Sequence, residues 1–208
     1  MSTISLMLPT DKMGTLPSKN PLAMFAPLPV GVSFETQQEG EKIILLLRAH
    51  IITLVPAIAE IVFLIIFPMT VVPFLGTLGV DIFTALAARR VFWLFIFWYL
   101  FTFGFAFYKF IFWYFNVYLI TNERIVDFDF KGILHKETAY ANLNQIQDVT
   151  PKVVGFFGTF FHFGNVFIQT AAAKNEFEFH AVEKPDTVAR EILEQVRHEE
   201  AEAPGEIA

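Results

Sequence analysis

VFWLFIFWYLFTFGFAFYKFIFWYF, from Val91 to Phe115, is a run of 25 residues with 16 aromatic side chains and a single charge, Lys109. About 20 apolar residues suffice to cross the hydrocarbon core of a bilayer. Its middle, Phe101 to Phe107, alternates like a strand, but an open strand in lipid leaves backbone groups unpaired, so length and surroundings override the two-residue period. A transmembrane helix is predicted. Upstream, IITLVPAIAEIVFLIIFPMTVVPFL, from Ile51 to Leu75, is a second run of 25 residues with one charge, Glu60. Pro56, Pro68 and Pro73 would break a soluble helix, yet a membrane helix tolerates them because neighbouring groups re-satisfy the freed carbonyls. Kinks are expected. Trp93, Trp113 and Tyr114 sit at the two ends of the second span, where interfacial rings are enriched.

The whole chain agrees with this. Of 208 residues 54% are hydrophobic and 17% charged, with a mean hydropathy of +0.50, whereas soluble domains average about 45–50% apolar and about 25% charged. Cysteine is absent, which excludes a disulfide framework and any Cys-based metal or redox site and fits a reducing cytoplasmic face.

Residues 1–40 carry Pro9, Pro17, Pro21, Pro27 and Pro29 among polar residues and are read as disordered. Pro9 and Asp11 interrupt the only stretch that could serve as a signal peptide, so the N-terminus is expected to be kept. Residues 41–115 are read as a juxtamembrane segment, in which Ile43 to Leu47 is continuously apolar, followed by the two spans. Lys42, Arg48, Lys109, Arg124 and Lys131 lie near the outer ends of the pair, against Arg89 and Arg90 in the link Gly76 to Arg90. That bias puts both termini on the cytoplasmic side.

After Phe115 the pattern changes to short strands. Val126, Phe128 and Phe130 alternate with Asp127 and Asp129, and Phe177 and Phe179 with Glu176, Glu178 and His180, as in sheets with one wet face. Lys131-Gly132 reads as a hairpin turn with positive φ at the glycine. Strands are predicted at 117–121, 124–130, 133–140, 146–149, 166–170 and 176–182. A helix starts near Pro185 with Val188, Ile192 and Val196 on one face. The domain spans 116–198, with an acidic tail at 199–208. Many strands and one closing helix make an α+β arrangement. Residues 116–208, 93 in number, are close to a self-sufficient size and are expected to fold alone.

LITNERIV (Leu119 to Val126), Gly132 in the next turn, LNQIQDV (Leu143 to Val149) and FFHFGNVFIQTA (Phe160 to Ala171) together resemble the bacterial pleckstrin-homology-like domain of small membrane proteins, in which two transmembrane helices precede such a domain. The resemblance covers Glu41 to about Val196. It implies a membrane helical hairpin plus a strongly bent antiparallel sheet or partly open barrel capped by the C-terminal helix. It implies a binding or scaffolding module of the bacterial cytoplasmic membrane, not an enzyme.

Phosphoinositide binding is not expected, because such readers place several basic residues on the first strand pair, and the turn here offers only Arg124 beside Glu123. Residues 116–208 hold 8 basic and 15 acidic side chains, a net charge of −7, which repels an anionic leaflet and argues equally against nucleic acid. A protein partner or self-association is expected instead. No nucleophile elbow, phosphate-binding glycine loop or His-Glu-x-x-His pair occurs, so no catalytic residue or cofactor is assigned. His135, His162 and His180 lie in three separate segments without ligand spacing, so no metal site is assigned.

Gly155, Gly158 and Gly164 surround an aromatic cluster of Phe156, Phe157, Phe160, Phe161 and Phe163. It reads as an interaction loop or as a turn packed under the sheet, and burial of large aromatics in a small domain favours the turn. Glu60 and Lys109 fall at depths of roughly 13 and 9 Å from the same membrane surface and can form an intramembrane ion pair. An oligomeric transporter or channel with these two residues in its polar path is the alternative function.

Overall fold

The computed structural model describes residues 17–80, 82, 86–132, 135–171 and 176–201. The chain divides into a helical unit, Ile51–Tyr114, and a second unit made from the residues on either side of it.

The helical unit opens with a 3₁₀ turn, Ile51–Leu54, that runs into α1, Val55–Thr77. After the link comes α2, Ala88–Phe115. Both are long and apolar enough to cross a membrane. Pro56 occupies the first turn of α1, where its missing N–H costs nothing, but Pro68 and Pro73 lie in the interior. Pro68 leaves the carbonyl of Leu64, four residues back, without its helical donor, and the indole N–H of Trp98 on α2 donates to that oxygen at 2.8 Å. The Trp98 ring also stacks on Phe67 at 5.4 Å. One side chain thus repairs the proline defect and docks the two helices. Past Thr77, Gly79 takes φ +80° and its N–H reaches the Gly76 carbonyl at 3.1 Å, as does that of Val80 to Leu75 at 3.0 Å, which closes the helix end.

The second unit holds two antiparallel sheets. β1 (Phe25–Pro27), β2 (Ile43–Arg48), β3 (Val117–Thr121), β4 (Arg124–Gly132) and β5 (His135–Asn142) form one in that order, and β6 (Ile146–Lys152), β7 (Phe163–Thr170) and β8 (Glu176–Glu183) the other. A short helix α3, Gly155–Phe161, links β6 to β7, and α4, Pro185–Ala201, follows β8. Among the described residues the sheets do not close into a barrel, and one isolated bridge, Ala49 to Val182, joins them. Val188, Ala189, Ile192 and Val196 of α4 enter one core with Val149, Val166, Ile168, Phe177, Phe179 and Val182 of the small sheet and with Leu45, Leu47, Ile120 and Ile125 of the large one. The helix therefore fills the angle between the sheets, an α+β arrangement.

Three sequence readings are corrected. Ile43–Arg48 is not a juxtamembrane extension but strand β2, between β1 and β3. Its uninterrupted apolar run reflects burial on both faces: Leu45 and Leu47 enter the main core, and Ile43 and Leu46 a second one. Residues 17–40 are not disordered. Ala26 on β1 belongs to that second core with Leu119 and Val126, and Ala23 and Phe34 pack against it; residues 1–16 lie outside the described residues. Gly132 ends β4, opposite His135, and has no positive φ, so Lys131-Gly132 is not the positive-φ hairpin turn expected from the sequence; residues 133 and 134 lie outside the described residues. The strands at 117–121 and 124–130 and the helix at Pro185 fall where alternation and proline place them. Residues 199–201 extend the last helix, and the rest of the acidic tail is outside the described residues.

Candidate functional site

The chain leaves the domain for the helical unit after His50 and returns at Phe115, and this junction carries the notable chemistry. In register Arg48 faces Val117 across β2 and β3, so the 64 residues of the helical unit, 51–114, interrupt the domain between two paired positions of neighbouring strands.

Arg48 is buried and donates from Nη1 to the Ala23 carbonyl at 3.0 Å. His50 donates its backbone N–H to Ala181 at 2.7 Å and stacks on Phe163 at 5.2 Å. Burial lowers the pKa of the His50 imidazole, against the opposing charge of Glu183. On the return side, the Asn116 side-chain oxygen accepts from the Phe130 N–H at 2.7 Å. Hydrogen bonds on both strands thus fix the two ends of the interruption to the domain.

Beside them is a cleft lined by Ala49, Asn116, Tyr118, Asp127, Phe128, Asp129, Glu176, Glu178 and His180. Four carboxylates face it. Tyr118 stacks on Phe179 at 4.3 Å, and its hydroxyl accepts from the His180 N–H at 3.2 Å. Burial, with the negative charge of Asp127, Asp129 and Glu178, pushes the phenol up to about 12, the hydrogen bond from His180 working the other way. The cleft has the wrong sign for a phosphorylated headgroup.

Arg124, the one basic residue at the turn that a phosphate reader would use, is already engaged. Its guanidinium grips Glu41 through Nε to Oε1 at 3.0 Å and Nη2 to Oε2 at 2.9 Å and lies over the rings of Phe34 and Tyr140. Glu41, itself buried, also accepts from the Thr121 hydroxyl and the Gln38 N–H, both at 2.9 Å. Burial alone would raise the Glu41 pKa; the hydrogen bonds and charge of Arg124, with those from Gln38 and Thr121, outweigh it and hold the carboxyl below its ordinary range. The TNER turn, Thr121 to Arg124, is therefore the socket for the N-terminal segment. Glu41 was missed from the sequence because its partner is 83 positions away.

The aromatic cluster is not packed under the sheet. Phe156, Phe157, Phe160 and Phe161 lie on α3 and are 76, 63, 65 and 44% exposed. His135, His162 and His180 do not converge, and no group of three metal-ligating side chains occurs among the described residues. In the helical unit, Lys109 Nζ and Glu60 Oε2 are 3.5 Å apart.

No curated protein matches the chain. Among solved structures, a DUF1696 family protein with a pleckstrin-homology domain from Shewanella loihica PV-4 is similar at 17% identity and a TM-score of 0.29, over 39% of this chain and 68% of that one. The sequence pattern of the bacterial PH domain matches residues 43–196, a range that begins on β2, runs through both apolar helices and ends in α4. The chain belongs to the bacterial PH domain family.

Proposed function

We propose that the chain is a membrane-anchored, non-enzymatic binding or scaffolding module of the bacterial cytoplasmic membrane, with α1 and α2 spanning the bilayer and the PH-like domain and both termini in the cytoplasm. The observation that carries this reading is the exposure of the two helices. Only 6% and 11% of their most apolar stretches are buried inside the protein, whereas a core helix of a soluble protein is buried and a water-facing helix is not apolar all round. Ile65, Ile66, Met69, Phe97, Leu100, Phe101 and Phe103 are all open, a surface that water would not tolerate and lipid solvates.

The partner is a protein or a second copy rather than a phosphoinositide. The engagement of Arg124 by Glu41 and the acidic cleft support that choice. The closeness of Glu60 and Lys109 favours an anchor over a polar path, because each neutralises the charge the other would offer to an ion. The test is extraction. The full chain should stay with membranes through an alkaline carbonate wash, and a version with residues 51–114 replaced by a short glycine-serine link should be soluble. Release of the full chain by carbonate would refute the anchor.

A further inference from the structure

The short helix α3 inverts the usual arrangement of a surface helix. Gly158 faces inward, where a Cβ would sit 3.1 Å from the Phe163 carbonyl and 3.3 Å from a Val153 methyl. The phenylalanines face outward, Phe156 stacked on Phe160 at 6.0 Å and Phe157 on Phe161 at 6.5 Å. Two aligned rows of rings, with Val154 67% exposed beside them, form one continuous apolar face. Isolated exposed rings are ordinary, but a contiguous patch marks a surface that meets something apolar.

Two features of the domain say what that is. From Val153 to Ala171 the chain has no Asp, Glu, Lys or Arg, so nothing charged on the segment resists entry into a low-dielectric layer. The patch also lies at the end of the domain where the chain departs: Phe161 is 6.5 Å and Phe163 is 5.2 Å, ring to ring, from His50, and Ile51 follows His50 directly.

We propose that α3 is an interfacial wedge, with Phe156, Phe157, Phe160 and Phe161 inserted among the headgroups and upper acyl chains of the bilayer that holds the helical hairpin. This rests on the anchoring reading above. Interfacial helices sit about 5–10 Å into that boundary, and with no lysine or arginine on the segment the contact is apolar and insensitive to salt. It adds a third attachment beside the two chain crossings and so restricts how the domain can tilt over the membrane.

Absence of native cysteine makes the test direct. Phe157→Cys, Phe160→Cys, Gln147→Cys and Leu100→Cys are made singly in the full chain, labelled with an environment-sensitive dye and reconstituted in vesicles of neutral phosphatidylcholine containing lipids spin-labelled near the headgroup or deep in the chain. Gln147 lies at the far end of β6 from α3, roughly 17 Å from Lys152 at about 3.4 Å per residue. The dyes at 157 and 160 should be quenched at least about twofold more than the dye at 147 by the shallow label, as for an interfacial helix, with no change in high salt. Leu100 should be quenched by the deep label. Quenching at 100 with 157 and 160 indistinguishable from 147 would overturn the wedge while leaving the anchor standing. No quenching at 100 would remove the anchor and the wedge with it. A blue shift at 157 and 160 without quenching by either lipid would place a second copy on the patch and also overturn the proposal.

Discussion

Glu41 and Arg124, 83 positions apart, meet as a two-pronged ion pair, with the carboxylate fully covered and the guanidinium side chain only 12% exposed. The pair fastens the segment before β2 to the turn between β3 and β4. Removing one partner leaves a buried charge uncompensated, which costs about 3–5 kcal/mol. Glu41→Gln and Arg124→Met should therefore each destabilise the domain by about 3 kcal/mol, and the double change by less than the sum, in denaturant titrations.

The same pair sets an acid limit. Because the folded Glu41 carboxyl is held below its ordinary value, the stability it contributes is fully present above the unfolded value of about 4.3 and is lost as pH falls through the lower folded one. The stability difference between the wild-type protein and Glu41→Gln should be flat near neutrality and shrink below about pH 4. A difference that stays constant into acid would show that the carboxylate charge is not what matters.

The domain should not fold from its C-terminal part alone. Residues 116–208 lack β2, and the loss of Leu45 and Leu47, both 0% exposed, costs about 2–5 kcal/mol each against a typical total stability of about 5–15 kcal/mol. That fragment should give no cooperative unfolding transition. Residues 17–48 joined by a short hairpin turn to residues 117–201 should give one, since Arg48 and Val117 are already opposite each other on paired antiparallel strands.

How much of this was legible in the sequence depended on how far the deciding partner lies along the chain. The two spans, the alternating Val126-Phe128-Phe130 strand and the helix at Pro185 are local patterns, and the sequence shows them. Ile43–Arg48 has no alternation because both its faces are buried, and beside an apolar span such a run looks like more of the span. Phe34 and Ala26 find their core only across β2, so the proline-rich segment around them reads as unable to fold. Composition assigns the phenylalanines of α3 to the interior, whereas Gly158, the residue that has to fit against Phe163, takes the inner position.

Glu60 and Lys109, 3.5 Å apart on α1 and α2, should behave as a coupled pair. Removing either one leaves the other charge among apolar neighbours in lipid, so Glu60→Gln or Lys109→Met should lower yield in membranes or thermal stability in detergent more than the two together. Measured couplings between polar groups in membrane proteins average about 0.6 kcal/mol and reach about 1.7. Strictly additive losses in the double-mutant cycle would mean that each residue is solvated separately.

The central claim is that residues 51–114 form a membrane hairpin inserted in one cytoplasmic domain. Accessibility of single cysteines in intact cells tests it most directly, with Ser18→Cys before β1, Thr77→Cys at the end of α1 and Thr187→Cys on α4. An impermeant maleimide should label position 77 alone, and positions 18 and 187 only after the cells are opened, because positions 18 and 187 belong to the same folded unit. Labelling of 18 and 187 but not 77 in intact cells would reverse the orientation, and different behaviour at 18 and 187 would contradict the account.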